Sequence, residues 1–378
     1  MTSQIPDRMC GVHLTGHGDV DRLEHRDDIA VPAPARDQVL IAVAAAGVNN
    51  TDVNTRLGWY SKNVDGATND MSRGATPGED DGADAAESPD VTDDGSWSGI
   101  PLTFPRIQGA DIAGRLVAVG DHVDPDRVGQ RVLVRPMHQS PWSDDPMDIV
   151  TIGSEYDGGF AQFCAVPSAE TYRVDSDMTD VELASFPCAY STAEGMLHRA
   201  AVASGESVVI TGASGGVGSA AVQLAKRRGA HVIAIASESK WEAVRSLGAD
   251  ELLDRSADLV AALGADRVDA AVDVVAGPGL GSLLDVLRPG GRYVTSGAIA
   301  GPIVDLDVRT VYLKDLTLIG STRQDRVVFE NLVRYIEQRE IEPVVAATYE
   351  LSAIRQAQHD FQAKGFAGKL VLVPPATL

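Results

Sequence analysis

The chain has 378 residues, 44% hydrophobic and 23% charged, which suffices for two cores because a single core stops growing at roughly 250–300 residues. Its 54 acidic and 32 basic residues give a net charge of −22, which repels phosphate backbones and anionic lipid and so excludes nucleic acid and membranes as expected partners. No signal-like N-terminus, no apolar run approaching a membrane span and only three widely spaced cysteines predict a cytoplasmic protein without a disulfide framework.

The basic residues are mostly arginine. Six are lysines, namely Lys62, Lys226, Lys240, Lys314, Lys364 and Lys369. A GC-rich genome would explain scarce lysine but not the net charge, so we favour a halophilic protein and keep codon bias as the alternative.

The first ~165 residues contain short β-rich runs separated by Gly, Pro and Asp turns, which predicts a β-rich domain. Within it, residues 65–94 carry ten acidic residues and one arginine, so we expect a mobile loop that cannot offset its ordering entropy. The whole insertion, 61–99, begins one residue after Tyr60. One hypothesis makes it an acidic lid over the cleft, and the alternative is a hydrated insertion without a catalytic part.

From about Glu206 strands and helices alternate, as a parallel sheet with crossover helices requires. The predicted strands are SVVITG, HVIAIA, VDAAVDVVAG, GRYVTSG and LTLIGS. After Thr322 a helix, a strand, a second helix and the strand KLVLVP follow, which we assign back to the first domain. The fold class is therefore α/β.

The run SVVITGASGGVGSAAVQLAKRRGAHVIAIAS reads as strand, glycine turn, helix and strand. Its fingerprint is A-x-G-x-x-G, with Ala213 in place of the first glycine. A turn at a helix N-terminus offers free N–H groups and the positive dipole end to a pyrophosphate. The predicted phosphate-binding residues are Ala213, Ser214, Gly215, Gly216, Val217 and Gly218.

The end of the second strand predicts which dinucleotide binds. NAD sites usually carry an acidic residue there, whereas this chain has Ala236 followed by Ser237, Glu238, Ser239 and Lys240. Hydroxyls and a lysine suit a 2′-phosphate, so Ser237 and Lys240 favour NADPH. Glu238 argues against NADPH if it binds a ribose diol, as in NAD sites; the alternative is that it is a solvated loop charge.

Several motifs in order resemble the zinc-independent quinone oxidoreductase and enoyl reductase branch of the medium-chain dehydrogenase/reductase superfamily. They are AAAGVNNTDVNTRLGWY, IQGADIAGRLVAVG, GGFAQFCAVP, FPCAYSTAEGML, TGASGGVGSAAVQLAK, LRPGGRYVTSGA and GKLVLVP. The resemblance implies a GroES-like β-rich catalytic domain plus a Rossmann doubly wound parallel sheet, an interdomain active site and a homodimer. The expected boundaries are 1–180 for the catalytic domain, 181–321 for the Rossmann domain and 322–378 for the C-terminal return.

Zinc-dependent members of the superfamily place a Cys at Asn49, a His-Glu pair at Ala110-Asp111 and another ligand at Cys188. Asn and Ala cannot replace two of three catalytic zinc ligands, and a four-cysteine structural site is impossible with three cysteines. We expect no metal. Cys188 is then either a buried apolar residue or a reactive thiol near the nicotinamide.

Without a metal, hydrogen-bond donors must stabilise the acceptor oxygen as hydride arrives. The resemblance offers Tyr60 and Asn49 as donors and Asp52 as the residue that orients their loop, although each could be structural. It also implies cofactor contacts at Thr192, Ser296, Gly297 and Lys369.

The predicted function is NADPH-dependent reduction of a small molecule, namely a quinone, enone or enoyl thioester. A zinc-dependent alcohol or sugar dehydrogenase and a non-catalytic NADPH-binding protein remain the alternatives.

Overall fold

The computed structural model describes residues 5–68, 96, 98 and 101–377. The proposed acidic lid, 61–99, lies mostly outside the described residues. The architecture is α/β, with a GroES-like sheet domain and a Rossmann domain, as the sequence predicts. None of the helices in the described ranges is long and apolar enough to cross a bilayer.

The GroES-like domain is built on a seven-stranded sheet. Its strands are β3 (Gln38–Gly47), β4 (Ala113–Val119), β5 (Arg131–Val134), β8 (Phe163–Pro167), β9 (Thr171–Arg173), β16 (Val345–Glu350) and β17 (Lys369–Val373). Their order is β16-β17-β3-β4-β5-β9, with β8 pairing to β3. The last two strands of the chain thus lie in the same sheet as strands from its first half.

Two smaller pairs flank this sheet. A hairpin joins β1 (Arg8–Leu14) to β2 (Leu23–Ala30), and an antiparallel arm joins β6 (Met137–Gln139) to β7 (Ile149–Thr151). The helices of this part are α1 (Asn50–Leu57), α2 (Asp180–Leu183) and α10 (Ile354–Ala363). Two further helices, α3 (Pro187–Arg199) and α9 (Arg326–Glu337), pack together and share a hydrophobic core with the second sheet.

Helix α1 follows β3 directly and was not predicted, because the preceding run is β-rich. The carboxylate of Asp52 accepts the N–H of Asn49 at 2.7 Å, which satisfies a free donor at the N-terminus of the helix. Gly58 ends the helix at φ +69°, a conformation that favours glycine. These two caps fix the loop that carries Asn49 and Tyr60.

The second sheet contains six parallel strands. They are β10 (Ser207–Ile210), β11 (His231–Ile235), β12 (Glu251–Leu253), β13 (Val268–Asp273), β14 (Leu287–Thr295) and β15 (Thr317–Gly320). Their order, β12-β11-β10-β13-β14-β15, is the doubly wound order 3-2-1-4-5-6. Five strands were predicted from the sequence; β12 was missed because it is a three-residue, half-buried edge strand.

Helices connect these strands, namely α4 (Gly216–Arg227), α5 (Trp241–Ser246), α6 (Leu259–Leu263), α7 (Leu280–Val286) and α8 (Val308–Leu313). The inner face of α4 carries Ala220, Ala221, Leu224 and Ala225, which are fully buried. The order of strands reverses between β10 and β13, which is where ligands bind in such sheets. The boundaries 1–180, 181–321 and 322–378 stay a prediction.

Candidate active site

A cavity of about 790 Å³ opens at the carboxyl ends of β10 and β13. Elements of both domains line it: the turn before α4, the loops after β11 and β13, and the segment between α10 and β17. Several predicted cofactor residues meet here, namely Ser214, Gly215, Gly216, Val217, Gly218, Ser237, Lys240 and Lys369. The residues predicted from the glycine turn, from the end of β11 and from β17 therefore line the same cavity.

The glycine turn has the close packing that the motif requires. A Cβ at Gly218 would overlap the carbonyl oxygen of Gly212, and one at Gly216 would lie 2.9 Å from Cδ of Lys369. Gly215 is the N-cap of α4 and is exposed, so the free N–H groups of this helix face the cavity. Ala213 is fully buried beneath the turn and does not line the cavity. The backbone present here fits a dinucleotide pyrophosphate.

The end of β11 determines the charge at one side of the cavity. Ala236 is 4% exposed and presents no carboxylate, whereas Ser237 and Lys240 line the cavity. Glu238, the residue that could favour NAD, is exposed and is not among the lining residues. Arg255, from the loop after β12, also lines this side.

Lys364 is a cavity residue that sequence reasoning missed. Its ammonium lies 3.6 Å from the centre of the Phe361 ring and donates to Oδ1 of Asn50 at 3.1 Å, while its carbonyl oxygen accepts from Lys240 Nζ at 2.6 Å. Burial, and then the charges of Lys240 and Lys369, lower the pKa of Lys364 to about 7. Three of the six lysines in the chain thus line one cavity. The sequence signal that could have identified Lys364 is its closeness to Lys369 in a chain with six lysines.

A buried ion pair occupies the floor of the cavity. Lys369, 3% exposed, donates to Asp111 Oδ2 at 2.7 Å, Asn49 Oδ1 at 2.5 Å and the Val48 carbonyl at 3.0 Å. All three N–H groups therefore have acceptors within the chain. The predicted contact of Lys369 with a cofactor anion would require one of these bonds to break.

Asn49 is equally engaged. Its amide donates to Asp111 Oδ2 at 2.9 Å and more weakly to the Gly47 carbonyl at 3.3 Å. Both amide hydrogens thus have acceptors, so donation to a substrate oxygen needs a rearrangement. The donor role of Asn49 stays a prediction that this geometry disfavours.

Asp52 is buried and holds two loops together. It accepts the N–H of Asn49 and, at 3.2 Å, the N–H of Gly109. Burial raises the pKa of Asp52 to about 7, against the opposing effects of these hydrogen bonds and of Lys369. These contacts suit a positioning residue.

Tyr60 lies at the end of this loop, partly buried. Its phenol donates to Thr51 Oγ1 at 3.2 Å. Burial raises the pKa of the phenol above its ordinary value, so Tyr60 stays protonated at neutral pH. Its single O–H is engaged within the chain, so donation to an oxygen that gains negative charge requires the hydroxyl to turn away from Thr51. Thr51 was not singled out from the sequence.

Like Asp52 and Tyr60, the remaining predicted residues lie outside the cavity lining. Cys188 is buried and its N–H donates to Asp111 Oδ1 at 2.5 Å; burial raises the pKa of its thiol, which favours the unreactive form. Thr192 lies one turn further along α3, where its hydroxyl accepts from Gln324 at 3.4 Å. Ser296 donates to the Met196 sulfur at 3.1 Å. Gly297 packs near the cavity-lining Val274.

The donor set at the corresponding zinc position does not fit zinc. Asn49 and Ala110 offer no thiolate or imidazole, and the carboxylate of Asp111 is already paired with Lys369. Across the described ranges, no group of three His, Cys, Asp or Glu side chains is placed to hold a metal ion. Zinc independence stays a prediction that rests on this residue chemistry.

Comparison with protein families gives two matches. Residues 216–338 match the model described as zinc-binding dehydrogenase, and residues 85–176 match the alcohol dehydrogenase GroES-like domain. The first match spans α4 to α9 with strands β11 to β15, and the second spans strands β4 to β9 of the first domain.

Individual relatives agree with these matches. A quinone oxidoreductase from Lama guanicoe is 27% identical and covers 97% of each chain. A crystal structure of a proposed alcohol dehydrogenase from Sinorhizobium meliloti is 46% identical, with a TM-score of 0.84 and 98% of each chain covered. A cobalt- and zinc-bound thermostable alcohol dehydrogenase from Pyrobaculum aerophilum is 26% identical over 97% of this chain and 100% of that chain, with a TM-score of 0.78.

Proposed function

The chain is an oxidoreductase of the medium-chain dehydrogenase/reductase superfamily, in its quinone oxidoreductase-like branch, and we propose that it transfers hydride from NADPH to a quinone, enone or enoyl thioester without zinc. The observation that carries the proposal is the cation-rich cavity at the glycine turn. It holds three lysines and lacks a carboxylate at position 236.

The lysines support NADPH over NADH. Ser237, Lys240 and Arg255 lie on the side of the cavity where β11 ends, and Lys364 approaches Lys240 from the other domain. Apart from Lys369, which Asp111 neutralises, three basic groups line the cavity, and in a chain of net charge −22 they are unexpected unless they compensate a strongly anionic ligand. The 2′-phosphate of NADPH has the required charge and oxygen acceptors.

When bound, the cofactor supplies the hydride that the acceptor takes up at its β-carbon or quinone ring. The acceptor oxygen then gains negative charge, and the neutral phenol of Tyr60 can donate a hydrogen bond or its proton to it. Asp52 holds the helix start that carries Thr51, the hydrogen-bond partner of Tyr60. Lys369 and Asp111 keep the floor of the cavity electrically balanced.

The donor set supports a reaction without zinc. Two of the three ligand positions hold Asn49 and Ala110, and an internal ammonium already neutralises Asp111. The zinc-dependent alternative gains weight from the metal-bound relative of Pyrobaculum aerophilum. Metal analysis after chelation, combined with an assay of NAD-linked alcohol oxidation, separates the two.

The deciding experiment is a screen of NADPH oxidation over naphthoquinones, short enones and crotonyl-CoA, in molar KCl and again in dilute buffer. Molar salt is included because the composition predicts a halophilic protein. We expect catalytic efficiency with NADPH to exceed that with NADH by at least about tenfold. Ala236→Asp should shift the preference toward NADH by repelling the phosphate. Equal use of both cofactors would contradict the assignment, and tight NADPH binding with no turnover of any acceptor would favour the non-catalytic alternative.

A homodimer is proposed on a separate surface. Within the described residues, strand β15 pairs only with β14, so it forms one edge of the six-stranded sheet. In the segment that connects β14 to β15, Ile303, Val308 and Leu313 are 72%, 62% and 71% exposed, which is unusual for a strongly acidic chain. A second copy could continue the sheet. Light scattering should give twice the chain mass, and Leu313→Glu should weaken the association.

A further inference from the structure

A buried carboxylate that the proposed chemistry does not use lies at the carboxyl end of β13. Asp273 is fully buried within the chain, and the residue borders the cavity beside Thr211, which follows β10. This is the point at which the order of strands reverses. Aspartate is almost never fully buried without a partner, so the surroundings of this carboxylate indicate what it does.

Four hydrogen-bond donors satisfy the Asp273 carboxylate. Its Oδ1 accepts from Thr211 Oγ1 at 2.5 Å and from the N–H groups of Val275 at 2.9 Å and Ala276 at 3.1 Å. Its Oδ2 accepts from the phenol of Tyr293 at 2.7 Å. Burial, and then the charge of Asp273, raise the pKa of Tyr293 above its ordinary value, so the phenol keeps its proton and is the donor.

The negative charge of Asp273 has no counter-ion in this arrangement. All four donors are neutral groups, and among the described residues no lysine, arginine or histidine forms an ion pair with this carboxylate. Asp111 on the cavity floor differs, because the ammonium of Lys369 neutralises it at 2.7 Å. Asp273 therefore leaves an uncompensated negative charge at the β13 side of the cavity.

The opposite side of the cavity carries the opposite charge. Lys240 and Arg255 line the side where β11 ends, and strand β10 lies between β11 and β13 in the sheet. The glycine turn that fits the pyrophosphate comes directly after β10. A dinucleotide with its 2′-phosphate at β11 and its pyrophosphate at this turn extends its nicotinamide half toward β13.

We propose that the carboxylate of Asp273 stabilises the positive charge that forms on the nicotinamide ring during hydride transfer. This inference rests on the proposed reduction by NADPH and adds an electrostatic residue to it. The transfer moves one proton and two electrons to the acceptor and leaves one positive charge on the ring; the acceptor oxygen then takes up a proton. The oxidised cofactor thus has an anionic and a cationic end, which complement the charges on the two sides of the cavity.

Contact between the carboxylate and the ring is not needed for this effect. At an effective dielectric constant of about 20, two unit charges roughly 10 Å apart still change a binding constant by about tenfold. A bound dinucleotide displaces water from the cavity, which preserves this attraction. The phosphate charges are the same in both redox states, so the effect of Asp273 on the ring is measured by comparing the two states.

The test is the ratio of the dissociation constant for NADP⁺ to that for NADPH, both measured by calorimetry. Asp273→Asn removes the charge but keeps an oxygen that can accept from Thr211 and an amide that can donate to Tyr293. We expect this variant to raise the ratio by about tenfold, because only the oxidised ring loses an attraction. A purely structural role would weaken both redox states equally, and an unchanged ratio would overturn the inference.

Two control variants separate charge from packing. Tyr293→Phe removes one donor but keeps the carboxylate, so the ratio should not rise. Asp269→Asn, at the other end of β13, removes a carboxylate that pairs with Arg288 at 2.5 Å and should retain the parent ratio. A tenfold rise in either control would overturn the inference. If Asp273→Asn does not fold, the parent protein decides, since it should bind NADP⁺ more tightly than NADPH and the reverse order would contradict the proposal.

These outcomes are distinct from those that test the proposed function. The titrations need no acceptor, so an unchanged ratio overturns the inference even where reduction is observed. A raised ratio without turnover of any acceptor leaves the inference standing and refutes the proposed function. The same ratio is measured with NAD⁺ and NADH, so a preference for NADH refutes only the choice of cofactor. A protein that binds none of the four dinucleotides overturns both.

Discussion

Replacing Lys364 with Met tests whether its ammonium binds the 2′-phosphate of the cofactor. The substitution keeps an unbranched side chain near Phe361 and removes only the charge and the donors. A hydrogen bond to a charged group contributes about 1.5–3 kcal/mol, which corresponds to roughly 10- to 100-fold in Kd. Because Lys364 is partly open to the cavity, solvent screening favours the lower limit, about tenfold.

NADH is the internal control for this variant, since it lacks the 2′-phosphate. Fluorescence titration of both cofactors should show NADPH weakened by about tenfold and NADH changed by less than about twofold. Lys226→Gln serves as a matched control, because this lysine pairs with Asp250 on the surface and does not line the cavity. Equal weakening of both cofactors would refute the assignment and leave Lys364 as a structural residue.

The pH dependence gives the same test a second readout. In the free protein the pKa of Lys364 is about 7, so above pH 7 the ammonium is mostly neutral and must take up a proton when an anion binds. The phosphate itself titrates near pH 6 and is a dianion throughout this range. The Kd for NADPH should therefore rise between pH 7 and 9 by up to about tenfold per unit, until the pKa of the complex is reached, and Lys364→Met should flatten the rise. A parent protein with the same slope for NADH would contradict this reasoning.

Three further outcomes follow from the site. Tyr60→Phe should lower kcat by roughly 10²–10³ while changing KM little, as when one oxyanion donor is lost, and an unchanged kcat would assign Tyr60 to packing. Activity should survive EDTA, and plasma emission spectrometry should find far less than one zinc per chain. One tightly held zinc per chain would refute the prediction that the reaction needs no zinc. Lys369→Met should reduce the free energy of unfolding by about 3–5 kcal/mol because it leaves Asp111 buried and unpaired, whereas the double variant Lys369→Met/Asp111→Leu should recover much of this loss in urea titrations.

The sequence by itself determined the features that depend on local pattern. The run from β10 through α4 to β11 is recognisable in the sequence from its strand and helix periodicity and from glycines at fixed spacing. Such a local pattern exists because pyrophosphate binding needs contiguous backbone N–H groups. Ala236 and Lys240 are near neighbours of that run, so the likeness to an NADP site was also visible. The α/β class follows from the same alternation. Helix α1 was not recognised from the sequence, because the segment before it is β-rich and the capping role of Asp52 is visible only in the structure.

Only the tertiary structure decided which side chains share the cavity floor. Lys369 and Asp111 are 258 residues apart in the chain, and Lys240 and Lys364 are 124 apart. No local periodicity encodes such contacts, since they arise where β17 returns beside β3 and where α10 ends against the Rossmann domain. For this reason Lys369 looked like a cofactor ligand in the sequence, whereas its ammonium is fully engaged by Val48, Asn49 and Asp111. Lys364, which the sequence did not single out, lines the cavity because chain folding carries it across the cleft to Lys240.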